Sequence, residues 1–235
     1  MCTLSYIPIS ERSFIFTTNR DEDPNRVALS PQKYVHDGIE LLYPKDSKAN
    51  GSWIISNGTD TSLCLLNGAF EKHQRKPNYR QSRGLVLLDF FKYASLREFI
   101  DAYRFEGIEP FTLVVVENKP GIHLTELVWD EQKLYVKNMV SNKAYFWSST
   151  TLYTNKMKLE REQWFKNWLG TETCLDENSI IKFHKTGGAE NKEYGLFMNR
   201  RGLVRTVSIT QIMGSKEGHM MKYHNLLDEE VCNTI

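Results

Sequence analysis

Cys2-Thr3-Leu4-Ser5-Tyr6-Ile7-Pro8-Ile9-Ser10-Glu11-Arg12-Ser13-Phe14-Ile15-Phe16-Thr17-Thr18-Asn19-Arg20-Asp21-Glu22 contains two runs rich in β-branched and aromatic residues, separated by a polar connection. The pattern predicts an antiparallel hairpin, with strands over 3–8 and 13–18 turning through Ile9-Ser10-Glu11-Arg12. Antiparallel pairing returns the chain to its starting end, so Asn19, Arg20 and Asp21 are expected near Cys2. If Met1 is removed, Cys2 carries a thiol and a free α-amine, which together form a nucleophile and its base. The amine titrates near about 7.7–8.0 and the thiol near about 8.5, so proton transfer between them is feasible at neutral pH. Arg20 would favour the thiolate by Coulomb attraction, and Asp21 could hold either Arg20 or the ammonium.

Working outward, residues 53–56 and 63–66 read as a second hairpin across Asn57-Gly58-Thr59-Asp60, its second strand ending at Asn67-Gly68. Residues 82–94 are almost all apolar and predict a helix, and Ser95-Leu96-Arg97-Glu98 is a capping box opening another. A three-stranded meander is expected over 111–116, 123–129 and 134–140. Met157, Trp164, Phe165, Trp168 and Leu169 mark one face of a helix over 154–169. Residues 170–192 read as a short helix plus a surface loop, and strands return over 194–199 and 205–210. Antiparallel runs alternating with helices favour an α+β layered domain over a parallel βαβ sheet. With no internal repeat or low-complexity linker, residues 1–235 are expected to form a single domain.

Composition narrows the function. The 235 residues are 40% hydrophobic and 12% aromatic, enough for a sizeable core. Thirty basic residues against twenty-nine acidic ones leave a net charge of +1, which advertises neither nucleic acid nor an anionic membrane as partner. No run approaches the roughly 20 apolar residues of a membrane span, and Glu11 and Arg12 interrupt any signal-peptide pattern. Stable membrane insertion is therefore not expected. Cys2, Cys64, Cys174 and Cys232 show no CxxC spacing, which suits reduced thiols in a cytoplasmic protein. The six histidines form no HxxxH or HExxH pair, so neither a metal nor a cofactor is expected. Met220-Met221 beside His219 and His224 reads as a core or surface segment rather than a haem-ligand set.

Met1-Cys2-Thr3 and the tetrad Asn19-Arg20-Asp21-Glu22 resemble the signature of the NRDE, or transport and Golgi organisation, family. The likeness continues through Gly51-Ser52-Trp53, Leu66-Asn67, Ser82-Arg83-Gly84, and Trp147-Ser148 with Leu152 and Lys158. That family is similar in turn to N-terminal-nucleophile (Ntn) hydrolases of the cysteine-type penicillin and bile-salt amidase kind. The resemblance implies a four-layer αββα sandwich of mostly antiparallel sheets. It also implies Cys2 as nucleophile, Arg20 and Asp21 as orienting groups and Asn67 as an oxyanion donor, with Asn19, Glu22 and Ser149 as substrate contacts.

The chain departs from the pattern at Ser148-Ser149, where relatives often carry Ser-Asn. One oxyanion donor commonly contributes about 3 kcal/mol to the barrier, which Ser149 replaces only in part. Two functions follow from the resemblance. One is hydrolysis of a non-peptide C–N amide bond; the other is binding or trafficking of a hydrophobic metabolite such as haem or an acyl lipid. Read from position alone, Cys2 is a small residue starting a buried strand, 19–22 a solvated turn leading into Asp23-Pro24-Asn25, and Asn67-Gly68 a plain turn.

Overall fold

A computed structural model describes residues 3–228 and 231–234. Its strands are β1 (Thr3–Ser10), β2 (Ser13–Glu22), β3 (Ala28–His36), β4 (Ile39–Asp46), β5 (Ile54–Ser56), β6 (Thr61–Asn67) and β7 (Phe111–Asn118). They continue as β8 (Ile122–Trp129), β9 (Leu134–Met139), β10 (Tyr145–Ser148), β11 (Asn199–Arg200), β12 (Val204–Ser215), β13 (Gly218–Asn225) and β14 (Val231–Thr234). The helices are α1 (Val86–Phe90), α2 (Leu96–Ala102), α3 (Asn155–Thr171) and α4 (Glu177–Thr186).

The opening hairpin forms with Thr3 opposite Asn19 and Leu4 opposite Thr18. Because successive strand side chains leave opposite faces, Leu4, Tyr6, Phe14 and Phe16 point one way, while Ile7 and Ile15 point the other. The expected strand ends at residue 18, but β2 runs on to Glu22 because β12 pairs along its free edge, with Thr206 opposite Asp21. The tetrad therefore lies within a strand and not in a solvated turn.

The first sheet has the order β10-β1-β2-β12-β13-β14, with β11 on β12; the second has the order β3-β4-β5-β6-β7-β8-β9. All these strand pairings are antiparallel. One core cluster joins the inner faces, with Leu4, Phe14, Phe16 and Ile212 meeting Leu42, Ile54, Cys64 and Val114. A second packs α1 and α2 on the outer face of the β3–β9 sheet through Val86, Phe90 and Phe99. A third packs α3 and α4 on the other outer face through Phe165, Ile180 and Phe183. These layers make the αββα sandwich that the resemblance implies.

Several expectations need correction. The helix over 82–94 is a 3-10 turn at Arg83–Leu85 followed by α1, which stops at Phe90. The start of α2 competes for the next residues, because the Glu98 carboxylate accepts the Ala94 amide and Ser95 Oγ accepts the Glu98 amide. Residues 194–198 are not a strand. Asn191 accepts backbone amides from Tyr194 and Gly195 there, leaving Asn199 and Arg200 to pair with β12. The strands β3 and β4 were not among the expected elements, and β3 contains Pro31. A register shift between Leu29 and Gln32 on an edge strand accommodates it. Likewise His219 to Met221 belong to β13, an interior strand of its sheet. Among the described residues, no helix is long and apolar enough to cross a membrane.

Candidate functional site

Strand alternation divides the tetrad between two environments. Arg20 and Glu22 leave β2 toward the second sheet, whereas Asn19 and Asp21 leave it toward α3 and α4. The inward pair opens on a cleft of about 90 Å3 lined by Arg20, Glu22, Arg26, Asp46, Trp53 and Asn67, with Ser82, Arg83 and Gly84 closing one side. Segments separated by some sixty residues in sequence, which the resemblance had marked one by one, thus line a single cleft.

Arg20 is 3% exposed. It donates from Nη2 to Asp46 Oδ2 at 2.9 Å and from Nη1 to the Arg26 carbonyl at 2.9 Å, and its guanidinium lies 4.8 Å from the Trp53 ring centre. The same Asp46 oxygen is 2.9 Å from Arg26 Nε, while Arg26 Nη1 donates to Glu22 Oε2 at 3.1 Å. Asp46 Oδ1 accepts the Lys48 and Ala49 amides, which anchors the carboxylate to its own turn. Burial alone would raise the Asp46 carboxyl, but the Ala49 amide and the Arg26 and Arg20 charges outweigh it and hold the group below the ordinary range.

On the far wall Arg83 donates from Nη1 to the Pro110 carbonyl at 3.1 Å, and its Nη2 is 3.2 Å from Glu109 Oε2. Burial pulls the Arg83 guanidinium down to about 10 despite Glu109. The close approach of this wall depends on two glycines. A Cβ on Gly51 would stand 2.5 Å from the Gly84 carbonyl carbon, and one on Gly84 would stand 2.7 Å from the Ser52 oxygen. Asn67 is half-buried at the end of β6. Ser149 stands behind it, 1% exposed, donating from Oγ to the Asn67 carbonyl at 2.6 Å.

The outward pair is held differently. Asn19 is wholly buried, donating from Nδ2 to the His184 and Leu196 carbonyls at 3.1 and 2.7 Å. Its Oδ1 lies 2.5 Å from His184 Nδ1, and His184 Nε2 lies 2.7 Å from Ser5 Oγ. Asn19 is thus not in the cleft as a substrate contact; it ties α4 to the sheet. Asp21 accepts from Tyr153 Oη at 2.8 Å and from Thr206 Oγ1 at 2.6 Å. The buried Arg161 sits 4.0 Å from the Tyr153 ring centre and donates to Thr3 Oγ1, Ser148 Oγ and the Tyr194 and Gly195 carbonyls.

Of the residues the resemblance gathered, Arg20, Glu22 and Asn67 line the cleft, whereas Asn19, Asp21 and Ser149 do not; the sequence reading missed Asp46, Arg26 and Arg161. Asp46 gave no signal in a polar turn. Arg161 did give one, as a lone charge four residues from both Met157 and Phe165 on the apolar face of α3. Cys2, the expected nucleophile, lies outside the described residues. Among the described residues, no group of three or more His, Cys, Asp or Glu side chains is placed to hold a metal ion.

The family described as Transport and Golgi organisation 2 matches residues 1–195. No curated protein matches the chain in sequence. Among solved structures, an N-acylethanolamine-hydrolyzing acid amidase ortholog from Caenorhabditis elegans is similar at 16% identity and a TM-score of 0.60, covering 93% of this chain and 98% of that one. A variant of conjugated bile acid hydrolase from Clostridium perfringens is similar at 10% identity and a TM-score of 0.55, covering 99% of this chain and 92% of that one. A second mutant of the same hydrolase matches at 10% identity and 0.55, covering 100% and 92%. At these identities the likeness shows a shared fold, that of the Ntn-hydrolase amidases.

Proposed function

This chain belongs to the Transport and Golgi organisation 2 family, and from that premise we propose that it hydrolyses a non-peptide C–N amide bond with Cys2 as an N-terminal nucleophile. The observation that carries the reading is the convergence of Arg20, Glu22 and Asn67 on one cleft at the end of β2 where β1 begins. The reading requires the β1–β2 register, with Thr3 opposite Asn19, to carry on by one residue and set Cys2 against Arg20.

In the proposed reaction the Cys2 thiol yields its proton to the α-amine, and the sulfur attacks the amide carbonyl. The C–N bond breaks as the leaving amine takes up that proton. Water then hydrolyses the thioester, releasing the acid and restoring the thiol. Arg20, fixed by Asp46, favours the thiolate, and Asn67 faces the developing oxyanion. Asp21 acts as a positioning group, bracing the end of β2 through Tyr153 and Thr206.

Intact mass reports whether Met1 is removed, and an electrophilic thiol probe near neutral pH reports whether Cys2 reacts first. Cys174 is exposed and serves as the internal background, while Cys64 is buried and its thiol is pushed up to about 12 by desolvation. Labelling of Cys2 no faster than Cys174 would sink the proposal.

A second reading, a non-catalytic binding or trafficking protein for a hydrophobic metabolite such as haem or an acyl lipid, is favoured by Ser149. Its hydroxyl proton is directed to the Asn67 carbonyl and so adds no donor for an oxyanion. A haem titration of the parent beside Cys2→Ala tests it, and an unshifted Soret band excludes haem as the cargo.

A further inference from the structure

The sandwich has another opening, at the Phe14 end of β2. Arg20 lies six positions after Phe14 on β2, so the two openings lie about 20 Å apart along the strand. The second is a cavity of about 720 Å3 between the β1–β2 turn, the start of β4 and the β12–β13 turn. That volume falls within the roughly 300–1,000 Å3 typical of small-molecule sites. Phe14, Leu42 and His219, all buried, line it together with Met213 and Met220. Methionine side chains adapt to irregular apolar ligands.

The charges that border the cavity are already matched. Lys33 Nζ lies 3.0 Å from Glu40 Oε1, and Glu217 accepts from Ser215 Oγ and pairs with Lys216. A charged ligand would therefore meet no waiting counter-charge. One lining group does lack a partner. His219 is 4% exposed, with its Nδ1 3.0 Å from Ser56 Oγ and 2.8 Å from Ser62 Oγ, but its buried Nε2 has no hydrogen-bond partner among the described residues. Burial lowers this imidazole to about 4, so it is neutral at physiological pH. In the tautomer that places the proton on Nδ1, between the two serine oxygens, Nε2 presents a lone pair. Leaving such an acceptor unmet is costly, and a ligand donor regains that cost.

We propose that this cavity binds a small uncharged apolar molecule bearing one N–H or O–H donor, with the donor meeting His219 Nε2 and the apolar body lying on Phe14, Leu42 and the two methionines. The site is independent of whether the Arg20 cleft turns over a substrate.

N-phenyl-1-naphthylamine, neutral, apolar and carrying one N–H, is the probe, titrated by fluorescence into the full chain. The expected result is a saturable one-to-one gain in emission. Met220→Trp, a change at the exposed mouth, should weaken binding by about tenfold or more while the protein still melts cooperatively. His219→Leu should weaken it by about three- to tenfold through loss of the acceptor. No saturable gain, or an affinity unmoved by Met220→Trp, overturns the site. An affinity unmoved by His219→Leu in a cooperatively folded variant overturns the donor contact.

Discussion

Arg20 and Asp21 are consecutive on β2, yet their side chains leave opposite faces of the sheet. The guanidinium binds Asp46 at 2.9 Å in the inter-sheet cleft, and the carboxylate accepts from Tyr153 at 2.8 Å under the helix layer. A strand presents one residue of each adjacent pair to each face, so the tetrad performs two tasks at once. Arg20 and Glu22 shape the cleft. Asn19 ties β2 to α4, and Asp21 ties it to Tyr153 just before α3 and to Thr206 on β12, which fixes the strand that presents the other two.

Asp46 is the support on which the cleft's charges depend. Replacing it as Asp46→Ala leaves Arg20 buried without its carboxylate and should lower stability by about 3–5 kcal/mol, measured by urea denaturation at neutral pH. In the parent, the Asp46 carboxyl is held below its ordinary value of 3.8. Its contribution is therefore present above that value and is lost as pH falls through the lower, folded-state value. Asp46→Asn should remove that part of the acid-induced loss, and an acid titration followed by circular dichroism would show it.

Arg20→Met tests the proposed activation of Cys2. Loss of a neighbouring positive charge raises a thiol by roughly one unit, which lowers the thiolate fraction about tenfold near neutral pH. Labelling of Cys2 should slow by about that factor while labelling of the exposed Cys174 holds steady. An equal rate at Cys2 in both proteins would show that Arg20 does not act on the sulfur.

His184 makes stability depend on pH above the carboxylate range. Burial, aided by the Arg161 charge, lowers it from 6.5 to about 3. The folded value lies below the unfolded one, so the stabilisation is complete above 6.5 and is lost progressively as pH falls toward 3. Between about pH 6.5 and pH 5 this one group should account for about 2 kcal/mol. Urea midpoints at the two pH values measure the slope, and His184→Asn should flatten it even though the variant is less stable throughout.

Gly51→Ala should disturb the cleft from outside its charged wall. The added methyl meets the Gly84 backbone at 2.5 Å, and neither partner is a movable side-chain tip. A loss of about 1–3 kcal/mol is expected from overpacking. Since the Ser82-Arg83-Gly84 wall must retreat, chemical-probe access to Arg83 should rise, and arginine-selective modification followed by peptide mapping would detect it.

The sequence by itself determined the elements whose signals are local. Alternation announced the opening hairpin and the meander, Thr154 and Ser95 announced the starts of α3 and α2, and the ordered landmarks from Asn19 to Gly84 announced the family and with it the layered fold. The hairpin, the meander and the helix starts rest on residues within a few positions of one another, where side-chain period and capping chemistry decide the outcome.

Only the tertiary structure decided how far β2 runs, because Arg20, Asp21 and Glu22 pair with β12, some 185 residues later. It also decided which half of the tetrad faces the cleft, the pairing of Arg20 with Asp46, and the burial of Arg161. These depend on which face of a strand meets which layer and on charges brought together from distant turns. Desolvation and Coulomb attraction act through space, so their outcome follows from packing that no local stretch of sequence contains.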